Sequence, residues 1–417
     1  MTTASMRPRR IEPGQLADVL PPGGLTLVSA CSAESALLAD AVEAAGDALG
    51  AMTFSGIFVG GVNRRTWLAG AETRVLTFFQ TPELRAAGDR VEFLPLCYQD
   101  ILAELRRRRP AAVLLMCSPP DDEGRCSFGT EVAFIAELWR DIPVRIAHIN
   151  PAMPRTPGDP GIPFAELTAY LEADQILSGI AEAAPDTAGN AIARHISPFV
   201  KSGATLQTGL GKIPDAVLRS LADRRELKLH TGLIGDGVLA LLDSGALRGP
   251  GAATVGVAIG SERLYAALCH PAFQFRPISV THDPAILSAI DDLVTINSAI
   301  EVDLFGQAYA ELTPRGLMSG PGGASDFARG ARGHGVRIVA LPAQAAGNGV
   351  SRIVAPGAGS GPVSLGRMDI DIVVTEHGAA DLRLLGHGAR AEALIAIAAP
   401  DYRDALAGQW SDTARRF

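Results

Sequence analysis

Short apolar runs recur between segments of helical spacing along the whole chain, and this rhythm constrains the fold more than any other feature. Residues 25–29, 75–79, 91–95, 112–117 and 144–149 read as strands, with helical spacing at 34–48 and 99–108 between them. The rhythm restarts in the second half. Strands are predicted at 204–208, 227–231, 293–303, 336–340 and 369–375, and helices at 215–222, 237–243 and 390–398. Alternation of this kind produces a largely parallel sheet covered by helices. A chain of 417 residues also exceeds what one ordinary core serves. The expectation is an α/β protein of two doubly wound domains with largely parallel sheets, residues 1–185 and 186–417. The segment 151–163, with five prolines and two glycines, should be an ordered connection with little regular structure.

Charge and hydropathy narrow the function. A net charge of −8 argues against nucleic acid, which needs a basic surface. The basic runs at 7–10 and 106–109 read as a solvated tail and a solvated helix face. No apolar stretch approaches the ~18 residues of a membrane span. The N-terminal arginines lead into Ile11-Glu12-Pro13-Gly14 rather than an apolar segment, so no secretory signal is read and a cytoplasmic protein is expected. Five cysteines, an odd number without CxxC spacing, read as reduced packed thiols, and no metal site is expected.

Three glycine-bearing turns follow predicted strands in the second half. In Gln207-Thr-Gly209-Leu-Gly211-Lys-Ile-Pro214-Asp215 a tight turn opens a helix, and N–H groups at such a start attract anions. In His230-Thr-Gly232-Leu-Ile-Gly-Asp236-Gly237 the strand ends and Asp236 can cap the next helix. In Met318-Ser-Gly320-Pro-Gly322-Gly323-Ala324-Ser325-Asp326 consecutive glycines can turn their N–H groups into one oxyanion-binding concavity, or Ser325 or Asp326 can simply cap a helix. Between the last two lies the run 293–303. Read at period two, it puts Asn297, Glu301 and Asp303 on one face, as a hydrogen-bonded network or a cleft lining.

These segments together resemble the acetyl-CoA hydrolase/CoA-transferase family, of NagB/RpiA/CoA-transferase-like fold. The likeness runs through Ser118-Pro-Pro-Asp-Asp-Glu-Gly-Arg-Cys-Ser127, Asn150-Pro-Ala-Met-Pro-Arg-Thr-Pro-Gly-Asp159 and the Gln207–Asp215 turn. It continues through Asn297-Ser-Ala-Ile-Glu-Val-Asp-Leu-Phe-Gly-Gln307, Gly322-Gly-Ala-Ser-Asp-Phe327, Val374-Thr-Glu-His-Gly-Ala-Ala-Asp-Leu-Arg383 and residues 390–401. The resemblance implies coenzyme A as substrate or product, no permanently bound cofactor, and a homodimer. It implies a ping-pong exchange in which a glutamate carboxylate attacks an acyl-CoA and then carries the CoA as a thioester. The glycine turns, Gly209 and Gly211 with Gly320, Gly322 and Gly323, would hold CoA and polarise the carbonyl.

The same resemblance exposes departures. The family's glutamate position, within a His-Ser/Thr-Glu-Met-x-x-Asp-Gly pattern, is Gly232 here, and glycine cannot form the intermediate. Where the family commonly has Asn in Thr-Asn-Asp-Pro, this chain has His282. A lysine expected ahead of Ser351-Arg352-Ile353-Val354 is replaced near Ala346, which leaves a carrier-protein phosphopantetheine open beside CoA as donor. The Gln often found after Gly-Gly is Ala324. Several readings follow. His282 could move protons near neutral pH, activating water or another acceptor such as a small carboxylate. Glu301 could be the nucleophile or a supporting residue. The protein could bind acyl-CoA without turning it over, or be a conventional acyl-CoA:carboxylate transferase with the alignment displaced. Glu226, the nearest glutamate to Gly232, lies at the wrong end of its strand.

Overall fold

The computed structural model describes residues 7–180, 186–313, 316–345 and 349–416. The chain packs as two compact units: residues 1–181 with 254–281, and residues 182–253 with 282–417. The segment 254–281 therefore groups with the first unit although it follows the start of the second in sequence.

In the first unit eight strands form one sheet. They are β1 (Arg9–Arg10), β2 (Leu25–Val28), β3 (Thr53–Gly56), β4 (Arg74–Thr77), β5 (Val91–Phe93), β6 (Ala112–Cys117), β7 (Val144–Ile149) and β8 (Ala169–Glu172). Their order is β1-β8-β7-β6-β2-β3-β4-β5, and every pairing is parallel. The sequence winds outward both ways from β2, as the apolar rhythm predicts. Helix α1 (Ala36–Ala45) begins because the Ser35 hydroxyl accepts from the Leu38 N–H at 3.0 Å. It buries Leu38 and Val42 against Phe54, Val75 and Leu114 of the sheet. Each large side chain fully withdrawn from water there contributes roughly 1.5–3 kcal/mol. Three strands escaped the sequence reading: β1, in the basic run read as a solvated tail, β3, at the start of a stretch read as loop, and β8, whose apolar signal is short.

The second unit repeats the scheme. Strands β9 (Thr205–Thr208), β10 (Lys228–Ile234), β11 (Leu293–Ser298), β12 (Glu301–Asp303), β13 (Ala308–Tyr309), β14 (Val336–Ala340), β15 (Ile353–Val354), β16 (Ile372–Thr375) and β17 (Gly378–Asp381) carry it. Within this unit the large sheet runs β10-β9-β11-β14-β16-β17, parallel except for the last pair. Helices α2 (Thr187–Ile196), α3 (Lys212–Ser220) and α4 (Gly237–Asp243) pack in series. Helix α6 (His387–Ala396) and α7 (Arg403–Ala414) bury Leu394 and Leu406 in a cluster with Val339 and Val373 of the sheet.

One predicted element divides. The run 293–303 is not one strand: at Ala299–Ile300 the backbone exchanges partners, from the Ala340 carbonyl to that of Tyr309. Residues after the exchange form β12, which pairs antiparallel with β13 and parallel with β15 in a separate small sheet. Asn297 therefore does not share a continuous face with Glu301 and Asp303. Asp303 is fully buried and holds this small sheet together. Its carboxylate accepts from the Phe305, Gln307 and Gly357 N–H groups, from Gln307 Nε2 at 2.8 Å and from the Tyr309 hydroxyl at 3.1 Å. Burial first, and then the Asp303 carboxylate beside it, push the Tyr309 hydroxyl up to about 12.

Truncating Asp303 strands several buried donors at once. Asp303→Ala should lower unfolding free energy by about 3 kcal/mol or more, read by urea denaturation. A loss near zero would mean the carboxylate is not the hub of β12.

Candidate active site

Parallel strands place their carboxyl ends along one edge, and ligands of such sheets collect where the winding reverses. In the second unit that reversal falls between β9 and β11. Gln207 of β9 and Asn297 of β11 meet there, Nε2 donating to Oδ1 at 3.3 Å, both largely buried. The Gln207 Oε1 has no hydrogen-bond partner among the described residues. The turn after β9 carries Gly209 and Gly211. Gly211 adopts φ +123°, a conformation that favours glycine, and stands at the N-cap of α3, which starts at Lys212 rather than at Asp215 as predicted.

The next turn is capped differently from expectation. Asp236 occupies the N-cap position of α4 but makes no side-chain cap bond. Asp215 supplies it instead, its Oδ1 accepting from the Gly237 N–H at 3.2 Å. Asp215 Cα would lie 2.8 Å from a Cβ at Gly237, so the two helix starts are pressed together.

Gly232 lies inside β10, and its φ is not positive, so its backbone would accept any residue. Space is what excludes a side chain. A Cβ built on Gly232 would lie 2.5 Å from Cε1 and 2.8 Å from Nε2 of His282. The imidazole thus fills the volume where a side chain at 232 would begin. Its neighbours on either side are fixed. Asp283 caps the short helix Pro284–Ser288, accepting from the Ala285 and Ile286 N–H groups, which fixes the backbone next to His282. That helix packs on α5 (Ala324–Gly330). Phe327 of α5 then lays its ring 4.6 Å from the imidazole centroid.

His282 is 1% exposed. Burial first, and the charge of His230 second, push its imidazole down from 6.5 to about 3. It is neutral at physiological pH. This bears directly on a role as base, which works best with a pKa near the operating pH: in the state seen here His282 has little affinity for a proton.

The third glycine turn leads into α5. Gly322 takes φ +61° and Gly323 is the N-cap, while neither Ser325 nor Asp326 caps the helix. Gly320 is buried just ahead of them. Through Phe327, α5 links Gly322 and Gly323 to His282. Glu301 is engaged elsewhere. Its Oε2 accepts from the Ser360 N–H at 2.6 Å and its Oε1 from the Ser360 hydroxyl at 3.4 Å, so the carboxylate ties a loop to β12. Ala346 lies outside the described residues.

Sequence reasoning missed Phe327, Asp283 and Ser360 as partners of these groups, because each acts through a fold-dependent contact. It also missed Glu131 in the first unit. This acid is buried beyond the carboxyl end of β2, accepts from the Ala30 N–H at 2.9 Å, and is pushed up to about 8 chiefly by burial. Its signal was a single acid at the head of the apolar run 132–136. Among the described residues no group of three His, Cys, Asp or Glu could hold a metal ion, and no helix is long and apolar enough to cross a membrane.

Comparison with known proteins agrees with this architecture. Residues 260–410 match the acetyl-CoA hydrolase/transferase C-terminal domain. A 4-hydroxybutyrate coenzyme A transferase from Clostridium kluyveri is 32% identical over 332 residues, 77% of this chain and 77% of its own. RipA from Yersinia pestis superposes with a TM-score of 0.88 at 26% identity, over 97% of this chain and 98% of that one. A 4-hydroxybutyrate CoA-transferase from Porphyromonas gingivalis superposes with a TM-score of 0.80 at 29% identity, over 98% of both chains. The likeness to both solved structures extends over nearly the whole chain, both α/β units included. This chain belongs to the acetyl-CoA hydrolase/CoA-transferase family.

Two measurements check the packing of Gly232 on His282. Gly232→Ala should destabilise the protein, and His282→Asn should relieve that loss in the double variant, with a coupling of about 1–3 kcal/mol in the cycle. Strictly additive effects would refute the contact. The second concerns pH. The native imidazole binds a proton less readily than the unfolded one, so its contribution to stability is complete above about pH 6.5 and lost as pH falls toward 3. Glu131 has the opposite sign, its raised pKa costing stability as pH rises from 4.5 to about 8, but it is common to both proteins and cancels. The loss of stability on acidifying from pH 7 to about 4.5 should be smaller in His282→Asn than in wild type.

Proposed function

We propose that this protein passes the acyl group of a CoA (or phosphopantetheine) thioester directly to a bound small carboxylate, without an enzyme glutamyl intermediate, as the first step of a net CoA transfer. The observation that carries this reading is the neutral imidazole of His282 standing where a side chain at 232 would be. On the family pattern that position belongs to the nucleophile, and here it offers neither a carboxylate nor room for one.

Chemistry favours a carboxylate acceptor over water. A carboxylate is already anionic at neutral pH and attacks the thioester carbon with no base to prepare it. Water needs a base, and His282 is held near 3. The acceptor oxygen would form the new C–O bond as the C–S bond breaks, giving a mixed anhydride and CoA thiolate. The thiolate would then attack the acceptor's carbonyl and release the original acid, so CoA changes partner in one ternary complex. The Gly322 and Gly323 N–H groups are placed at a turn where they could stabilise the developing oxyanion. Gly209 and Gly211 at the start of α3 suit the phosphates of the donor. Glu301 is assigned a positioning role through Ser360. Hydrolysis is the second reading, with His282 as base once a bound thioester alters its surroundings.

Initial rates separate these. With acetyl-CoA or butyryl-CoA and a series of carboxylates, wild type should give intersecting double-reciprocal lines, and intact-protein mass spectra should show no CoA adduct. Parallel lines with an adduct would restore ping-pong chemistry. Thiol release without added carboxylate would favour hydrolysis, and binding without turnover would leave a carrier or sensor. Gly232→Glu combined with His282→Asn should gain the adduct that wild type lacks.

A further inference from the structure

The second unit carries a groove of about 730 Å³ at the amino ends of β14 and β16, away from the carboxyl end of β9 that Gly209 follows. Register shows the separation: Val336 opens β14 opposite Val294, whereas Asn297 lies three residues further toward the carboxyl edge. The groove is lined by Arg337, Arg367, Arg383 and Arg390 but by only two acids, Asp371 and Asp381. Those two acids are already used. Arg337 grips Asp371 through Nε at 3.0 Å and Nη2 at 2.8 Å, and Arg383 pairs with Asp381. Two cations are left over. Arg390 gives Nη2 to the Leu382 carbonyl at 3.1 Å, while its Nη1 is buried with no acceptor among the described residues. Arg367, half-buried, has no acceptor among the described residues.

Like charges do not settle beside each other in a partly desolvated groove without cost. Burial, and then the neighbouring Arg367 charge, hold the Arg390 guanidinium below its ordinary value. A counter-anion would relieve both. Guanidinium groups suit oxyanions in particular, because their donors form a planar fork that meets two oxygens at once. The rim is apolar. Met368 and Leu384 both line the groove and are well exposed, and Leu384 sits at φ +58°, a conformation rare for leucine.

We propose that this groove binds a phosphoryl group, held by Arg367 and Arg390, with the apolar rim receiving the rest of the ligand. The site is separate from the acyl-transfer reading, and its failure would leave that reading intact. Both phosphate alone and a phosphate carried on a larger body share this chemistry, and a lipid headgroup is another source of it.

The full-length protein should be titrated calorimetrically with inorganic phosphate and with AMP, and co-sedimented with phosphatidylcholine vesicles with and without phosphatidylserine. Wild type should bind a soluble probe, AMP more tightly than phosphate. Arg367→Ala should weaken binding about tenfold or more, and Arg367→Glu should abolish it. Since Arg367 makes no protein hydrogen bond among the described residues, both variants should fold, and unliganded Arg367→Ala should melt no lower than wild type. Binding only to the anionic vesicles, and lost in Arg367→Glu, would support the same chemistry with a lipid as its source. Equal binding by wild type and both variants, or no binding of any probe by wild type, would overturn the proposal.

Discussion

The imidazole of His282 and the missing side chain of Gly232 occupy one volume, and most of what is unusual in the second unit depends on that exclusion. Either a side chain leaves β10 at this point or a ring fills the space beside it. Here the ring has the space, and it is held by elements with no chemistry of their own: the Asp283 cap behind it and the Phe327 ring across from it. A buried, neutral histidine is a stable filler because its ring packs like a hydrophobe. The cost of protonating it in that place is what depresses its pKa.

That arrangement changes what the surrounding turns can do. Glycines at strand ends supply backbone donors without blocking approach, and the proposed function uses Gly209, Gly211, Gly322 and Gly323 in that way. A covalent relay through residue 232 is the step for which the geometry offers no group. On the proposed reading, a substrate that brings its own anionic nucleophile suits such a site better than one that needs a nucleophile prepared. The arginine groove at the opposite edge of the sheet follows a different logic, in which surplus cations rather than missing anions call for a ligand.

Much of the fold was legible. The strand runs 112–117, 144–149 and 336–340 and the helix 237–243 fall where apolar periodicity put them, because strands buried on both faces and amphipathic helices write their burial into local composition. The strand Thr53–Gly56 was not legible, since a threonine, a serine and a glycine among four residues give no strong signal and neighbouring strands supply the pairing. The break at Ala299–Ile300 was hidden for a related reason. A period-two pattern continues across it, and only the change of hydrogen-bond partner divides the run.

The sequence alone determined the kind of fold, the glycine turns, the family likeness and the absence of a carboxyl group at 232, because each of these is written in residue identity and spacing. Tertiary structure decided what fills that absence. It also turned Glu301 toward Ser360, gave the capping of Gly237 to Asp215, and left Arg367 near Arg390 with no acid hydrogen-bonded to either among the described residues. Those outcomes depend on contacts between residues tens of positions apart, whose side chains meet only when separate strands and helices are packed, and no local pattern encodes such distances.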